Sequence, residues 1–196
     1  MGGYGDLVIH NVRPNPATYR HRLRDTMQNG LPTAARLSLA VLLLAGVSAC
    51  GGAEEYTVPS KACGRDVSKG ELGALLPSGA ELREKQSVSD NSFSCQIYVD
   101  DLMQFAFTEH SGQRKFDVSA YAKSGRLGGF DQLRASDVSD NAVVSHTRSV
   151  VMAPCPKAGK NYILDLELPN TDGDHSDDIE RFVRSYLPTG LAAMGC

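Results

Sequence analysis

The sequence of 196 residues has no tryptophan, and aromatic side chains make up only 7% of it. That scarcity argues against a platform on which sugar rings stack. No glycine-rich phosphate loop and no dinucleotide fingerprint occurs, so nucleotide chemistry is not signalled. No Gly-x-Ser-x-Gly elbow marks a hydrolase nucleophile, and no Cys-x-x-Cys or Cys/His spacing marks a zinc site. Long apolar runs are also missing, with one exception. Leu37 to Val47 is apolar or small throughout, and nothing like it follows.

That run is the most informative stretch. Arg36 precedes it and small residues close it, the arrangement of a secretory signal. It is too short for a membrane span, which takes about 20 apolar residues. Its end, Val47-Ser48-Ala49-Cys50, resembles the lipobox of bacterial lipoproteins. The resemblance implies diacylglycerol on the Cys50 sulfur and cleavage between Ala49 and Cys50. A single acyl chain binds a membrane marginally, whereas two chains anchor stably. A signal of ordinary length begins at Met27, so residues 27–49 are read as the signal peptide. Residues 1–26 carry arginines and prolines without an apolar period, and are expected to be a spurious upstream extension; the alternative is a basic cytoplasmic leader, Arg20-His21-Arg22-Leu23-Arg24.

Residues 50–196 hold 15 Lys and Arg against 21 Asp and Glu, a net charge of −6. An acidic body of this kind argues against nucleic acid and against lying flat on anionic lipid. Its length suits one domain with a real core. Residues 50–60 read as a lipidated tether and 61–196 as a single globular ectodomain. Four cysteines follow Cys50, an even number that reads as disulfides in an exported domain. Of the three possible connectivities, Cys63–Cys95 with Cys155–Cys196 is preferred, because each pair then clips one half of the domain.

Ser68 followed by Glu71 has the form of a capping box, and Leu72, Leu75 and Leu76 share a helical face ended by Pro77-Ser78-Gly79. Glu81 to Ser89 is a weak strand. Phe93, Cys95, Ile97 and Val99 alternate with polar residues, Asp100-Asp101 turns the chain, and Met103, Phe105 and Phe107 alternate again, predicting a hairpin with Cys95 inward. Residues 111–141 read as a polar link with a short helix near Val118 and Tyr121, broken at Gly128-Gly129. Val143 to Met152 reads as one strand or two, Pro154 to Lys160 as a loop, and Tyr162 to Leu168 as a strand. Ile179, Phe182, Val183, Tyr186 and Leu187 form a complete helical stripe, which Pro188 is expected to end. The order predicts an α+β fold: an antiparallel-rich sheet flanked by N- and C-terminal helices and clipped by two disulfides.

Tyr56 to Gly64 (YTVPSKACG), Leu72 to Gly79 (LGALLPSG) and the strand around Cys95 ending in Val99-Asp100 resemble a group of small actinobacterial secreted lipoproteins of unknown function. The resemblance covers most of residues 56–196. It implies an envelope lipoprotein and supports the cysteine pairing, but it brings no catalytic residue.

Two stretches invite chemistry. Asp172 to Asp178 packs four carboxylates and His175 into seven residues. Calcium ligands would be Asp172, Asp174 and Asp178, although the spacing departs from an EF-hand. His110, His146 and His175 offer a base for a secreted hydrolase; His110 and His146 fall at or near predicted strand ends and read as surface residues. The expectation is a lipid-anchored domain at the outer face of the plasma membrane, with no cofactor, no catalytic residue and no nucleic acid. It would bind an envelope protein or a small ligand. The alternatives are a hydrolase or a calcium-dependent adhesion or stability module.

Overall fold

The structure, a computed structural model, describes residues 55–125, 130 and 132–196. The upstream segment, the signal, Cys50, the start of the tether and the Gly128-Gly129 break lie outside the described residues. Among the described residues no helix is long and apolar enough to cross a membrane.

The described domain is α+β. A small ribbon, β1 (Lys61–Ala62) and β2 (Arg65–Asp66), precedes helix α1 (Lys69–Ala74). Then come β3 (Leu82–Ser89), β4 (Ser92–Val99), β5 (Leu102–Gln113), helix α2 (Val118–Lys123), β6 (Arg134–Ala135), β7 (Ala142–Val144), β8 (Arg148–Cys155), β9 (Lys160–Glu167) and helix α3 (Ser176–Ala193). Seven strands form one antiparallel sheet in the order β3-β4-β5-β9-β8-β7-β6. The β5–β9 pairing joins the two hairpin-built halves, with Phe107 opposite Leu166 and Glu109 opposite Leu164.

Local chemistry sets the turns. Ser68 caps α1 by accepting from the Glu71 amide, as the capping box predicts. The β4–β5 hairpin turns on two residues, Asp100 and Asp101, with φ of 49° and 68°. Both left-handed positions are those of a type I′ turn, and aspartate is among the few residues that tolerate them. The Asp100 carboxylate fixes the turn by accepting from the amides of Ala80 and Glu81.

One face of the sheet carries the main core. Cys95, Ile97, Phe105, Phe107, Leu164 and Leu166 pack against Leu72 of α1 and Ile179, Phe182 and Tyr186 of α3. Phe105 meets Phe182 edge-on at 5.1 Å and Phe107 meets Tyr186 at 5.0 Å. On the other face, α2 covers only β7 to β9, through Val118 and Ala122 against Val143, Val150, Met152 and Ile163. The disulfides are Cys63–Cys95 and Cys155–Cys196. The first ties the ribbon to β4, and the second ties the chain end to β8.

Three details differ from the sequence reading. Pro188 does not end α3, which runs five residues further, to Ala193. Proline removes one helical hydrogen bond, but Gly190 is buried beyond it and Cys196 is tied to Cys155, so tertiary packing carries the helix through. The segment 154–160 is not a loop throughout: β8 continues to Cys155, and only a 3₁₀ turn at Pro156–Ala158 separates it from β9. Pro154 is tolerated because β7 pairs with β8 only as far as Val151, leaving that side of Pro154 without a strand. Finally, His110, three residues before the end of β5, is half-buried on the face opposite α1 and α3, rather than a surface residue.

Candidate functional site

Strand alternation places Glu109 on the inward face with Phe105 and Phe107. It is fully buried. Its Oε1 accepts from the Tyr162 hydroxyl at 2.8 Å and the Tyr186 hydroxyl at 3.0 Å. Its Oε2 accepts from Arg65 Nε at 3.0 Å. The guanidinium of Arg65 also sits over the Phe93 ring, 4.1 Å from its centroid, and Nη2 lies 3.5 Å from Met194 Sδ. A buried carboxylate is costly unless paired and hydrogen-bonded; this one has both a cation and two hydroxyl donors. Burial first, then the Glu109 charge, raises both tyrosine pKa values above the ordinary phenol, so the hydroxyls stay protonated as donors. Helix α3 reaches this knot only because residue 190 is glycine: a Cβ there would lie 2.3 Å from Tyr162 Oη and 2.6 Å from Glu109 Oε1. The cluster joins the ribbon, the sheet centre and the last helix. It holds the fold together, and its charged groups face one another rather than solvent.

The half-sheet that α2 leaves bare is polar. Ser94 and Thr108 are cross-strand neighbours with their oxygens 3.3 Å apart, and the Tyr98 hydroxyl donates to Gln96 Oε1 at 3.0 Å. On β8 and β9 of the same face, Arg148 grips Asp165 at two points, 3.0 Å and 2.6 Å, and its guanidinium lies 5.0 Å from the Phe130 ring centroid. Burial lowers the His110 pKa, with the Asp165 charge opposing it weakly, so the imidazole is neutral near neutral pH.

The other two histidines come together at the opposite end of the sheet from the chain's last residue. The His175 amide donates to the His146 carbonyl at 2.9 Å. His146 Nε2 lies 3.5 Å from Asp174, and His175 Nδ1 lies 3.7 Å from Asp178. A nucleophile relay needs a hydroxyl on the imidazole. Here Asp174 stands between His146 and Ser176 instead, accepting from the Ser176 amide. The acidic turn serves the start of α3. Asp174 satisfies a free helix amide, Asp178 pairs with Arg181, and Arg134 of β6 grips both Asp177 and Glu180. Asp172 offers its backbone carbonyl to His175 Nε2. The three candidate calcium ligands are thus not brought onto one point, and among the described residues no three His, Cys, Asp or Glu side chains converge as a metal site.

Neither the Glu109 knot nor the polar half-face was singled out in the sequence. The signal for Glu109 was parity: it continues the inward series of Phe105 and Phe107. No protein-family model, curated protein or solved structure matches the chain.

Proposed function

We propose that this chain is a lipid-anchored envelope lipoprotein whose ectodomain is a non-enzymatic binding module at the outer face of the plasma membrane. The observation that supports it is the state of the cysteines. Cys63, Cys95, Cys155 and Cys196 are all consumed in disulfides. Paired cysteines belong to an oxidising compartment. The pairing also leaves Cys50 as the one cysteine available for lipid, at the end of a signal-like segment and a few residues before the fold. The histidine and carboxylate pairs described above cap helices and bridge loops, which favours binding over catalysis.

The test is chemical cross-linking on intact cells, with recovery through a tag after Cys196. One recurring envelope partner, lost when Cys50→Ser releases the chain from the membrane, is the expected result. Recovery of the parent chain in the soluble cytoplasmic fraction with reduced thiols would rule the reading out.

A further inference from the structure

The two edges of the sheet differ. Strand β6 closes one; it is two residues long and is held through Arg134 on Asp177 and Glu180. Strand β3 closes the other and is eight residues long. It pairs with β4 in one unbroken register, without a bulge or a proline. Arg83 to Ser89 are all exposed. The direction of each backbone group follows from the ladder. The Asp100 amide donates to the Glu81 carbonyl at 3.0 Å, so the ladder opens on a hydrogen-bonded pair. Such pairs alternate along antiparallel strands, so Arg83, Lys85, Ser87 and Ser89 turn their amides and carbonyls to β4. Leu82, Glu84, Gln86 and Val88 turn theirs outward, where no partner meets them among the described residues. A row of unpaired backbone groups on a long, regular edge is a template for another strand.

We propose that β3 docks an extended segment of another envelope polypeptide, one with an acidic residue at its centre and apolar residues toward its ends. Only another backbone in extended form matches this alternation of donors and acceptors. The side chains narrow the choice. Val88 is 71% exposed beside Phe93 of β4, and Leu82 lies on the same face, so apolar neighbours on an added strand would cover both. On the other face Lys85 stands at the centre of the row, exposed and without an ion pair among the described residues. An opposite charge across from it is favourable. The neighbouring charges are engaged: Arg83 with Glu81 and Asp101, and Glu84 with the Cys63 amide. A second copy of this chain is disfavoured. Antiparallel self-pairing that uses the whole row centres on Lys85 and sets it against Lys85 of the other copy. Pairing centred on Glu84 opposes two carboxylates, and pairing centred on Gln86 sets Glu84 against Val88. The proposal deepens the binding-module reading and rests on it for the partner's location; the geometry of the edge does not depend on the anchor.

The test is a nuclear magnetic resonance titration of the full chain, in detergent, with the capped heptapeptide Val-Thr-Thr-Glu-Thr-Thr-Val. Its glutamate meets Lys85 when it lies antiparallel along Leu82 to Val88. The expected result is a set of shifts confined to β3 and its neighbours on β4, with slowed hydrogen exchange at the Leu82, Glu84, Gln86 and Val88 amides. Methylating the third and fifth peptide amides, which face β3, should abolish binding; methylating the second and sixth, which face away, should not. A lysine in place of the glutamate should weaken binding by about two- to thirtyfold, and Lys85→Glu should reverse that preference. Lys69→Glu, on α1, should leave it unchanged. No binding at about 1 mM peptide, indifference to which amides are methylated, or an unchanged preference in Lys85→Glu would overturn the proposal. So would protection of the same amides without peptide, whether from a concentration-dependent dimer or from the chain's own upstream residues. Because the peptide is synthetic, the outcome is independent of lipid on Cys50 and of the protein's compartment.

Discussion

Replacing Glu109 by glutamine tests the central knot with almost no change in volume. The amide oxygen can still accept from Tyr162 and Tyr186, which lie 2.8 Å and 3.0 Å from Oε1. The amide nitrogen then replaces Oε2 and faces Arg65 Nε, donor against donor, across 3.0 Å. Arg65 is largely covered, with 20% of its side chain exposed, so water compensates only in part. Removing one partner of a buried ion pair typically costs about 3–5 kcal/mol. The partial exposure of Arg65 sets the expectation at the low end, about 3 kcal/mol. For a domain of this size 1 kcal/mol moves the melting temperature by roughly 2–4 °C, so the variant should melt about 6–12 °C lower. Urea unfolding with disulfides intact gives the free energy directly. Arg65→Met removes the other partner while keeping much of the packing against Phe93 and Met194. The double variant should then be less destabilised than the two single losses added together, by about 1–3 kcal/mol, as for residues sharing one network. A loss below 1 kcal/mol for Glu109→Gln, or strict additivity in the double variant, would refute the reasoning.

Three further outcomes follow from the geometry. Gly190→Ala should destabilise by about 1–3 kcal/mol through overpacking against Tyr162 and Glu109, whereas Gly70→Ala in α1, which meets open space, should be neutral or stabilising by up to about 1 kcal/mol; parallel thermal melts distinguish them. Opening either disulfide by serine replacement should cost about 4 kcal/mol on the chain-entropy model for separations of 32 and 41 residues, read as reductant-sensitive melting in the parent and a reduced response in each variant. His110 has a folded pKa below the ordinary imidazole value of 6.5, so the folded state takes up its proton less readily than the unfolded chain. Its contribution is therefore present above about pH 6.5 and lost as pH falls through the lower folded pKa; His110→Gln should flatten that limb of the stability–pH curve, and an unchanged limb would count against the assignment.

The parts of the fold legible in the sequence are those set by local period and local chemistry. The β4–β5 hairpin, the β9 strand, the capped α1 and the stripe of α3 each follow from alternation or a helical repeat within one segment. The disulfide pairing follows from each bond clipping one half of the domain, and the two halves correspond to the two sides of the β5–β9 junction. What was not legible depends on residues distant in sequence. Whether Pro188 stops a helix is decided by Gly190 packing on Tyr162 and by the bond to Cys155, neither of which is near it in the chain. Glu109 carries no signal of its role within its own segment, because its partners, Arg65, Tyr162 and Tyr186, come from three other elements.

The central claim is that Cys50 is the lipidated first residue of a disulfide-closed ectodomain. The most direct measurement is intact mass spectrometry of the chain extracted from membranes, before and after reduction. The account predicts a protein beginning at Cys50 and heavier than the polypeptide by a diacylglyceryl group, with or without a further acyl chain. Reduction should add the mass of four hydrogens for two disulfides. A chain that retains residues upstream of Cys50, or that begins there without added lipid, would contradict it.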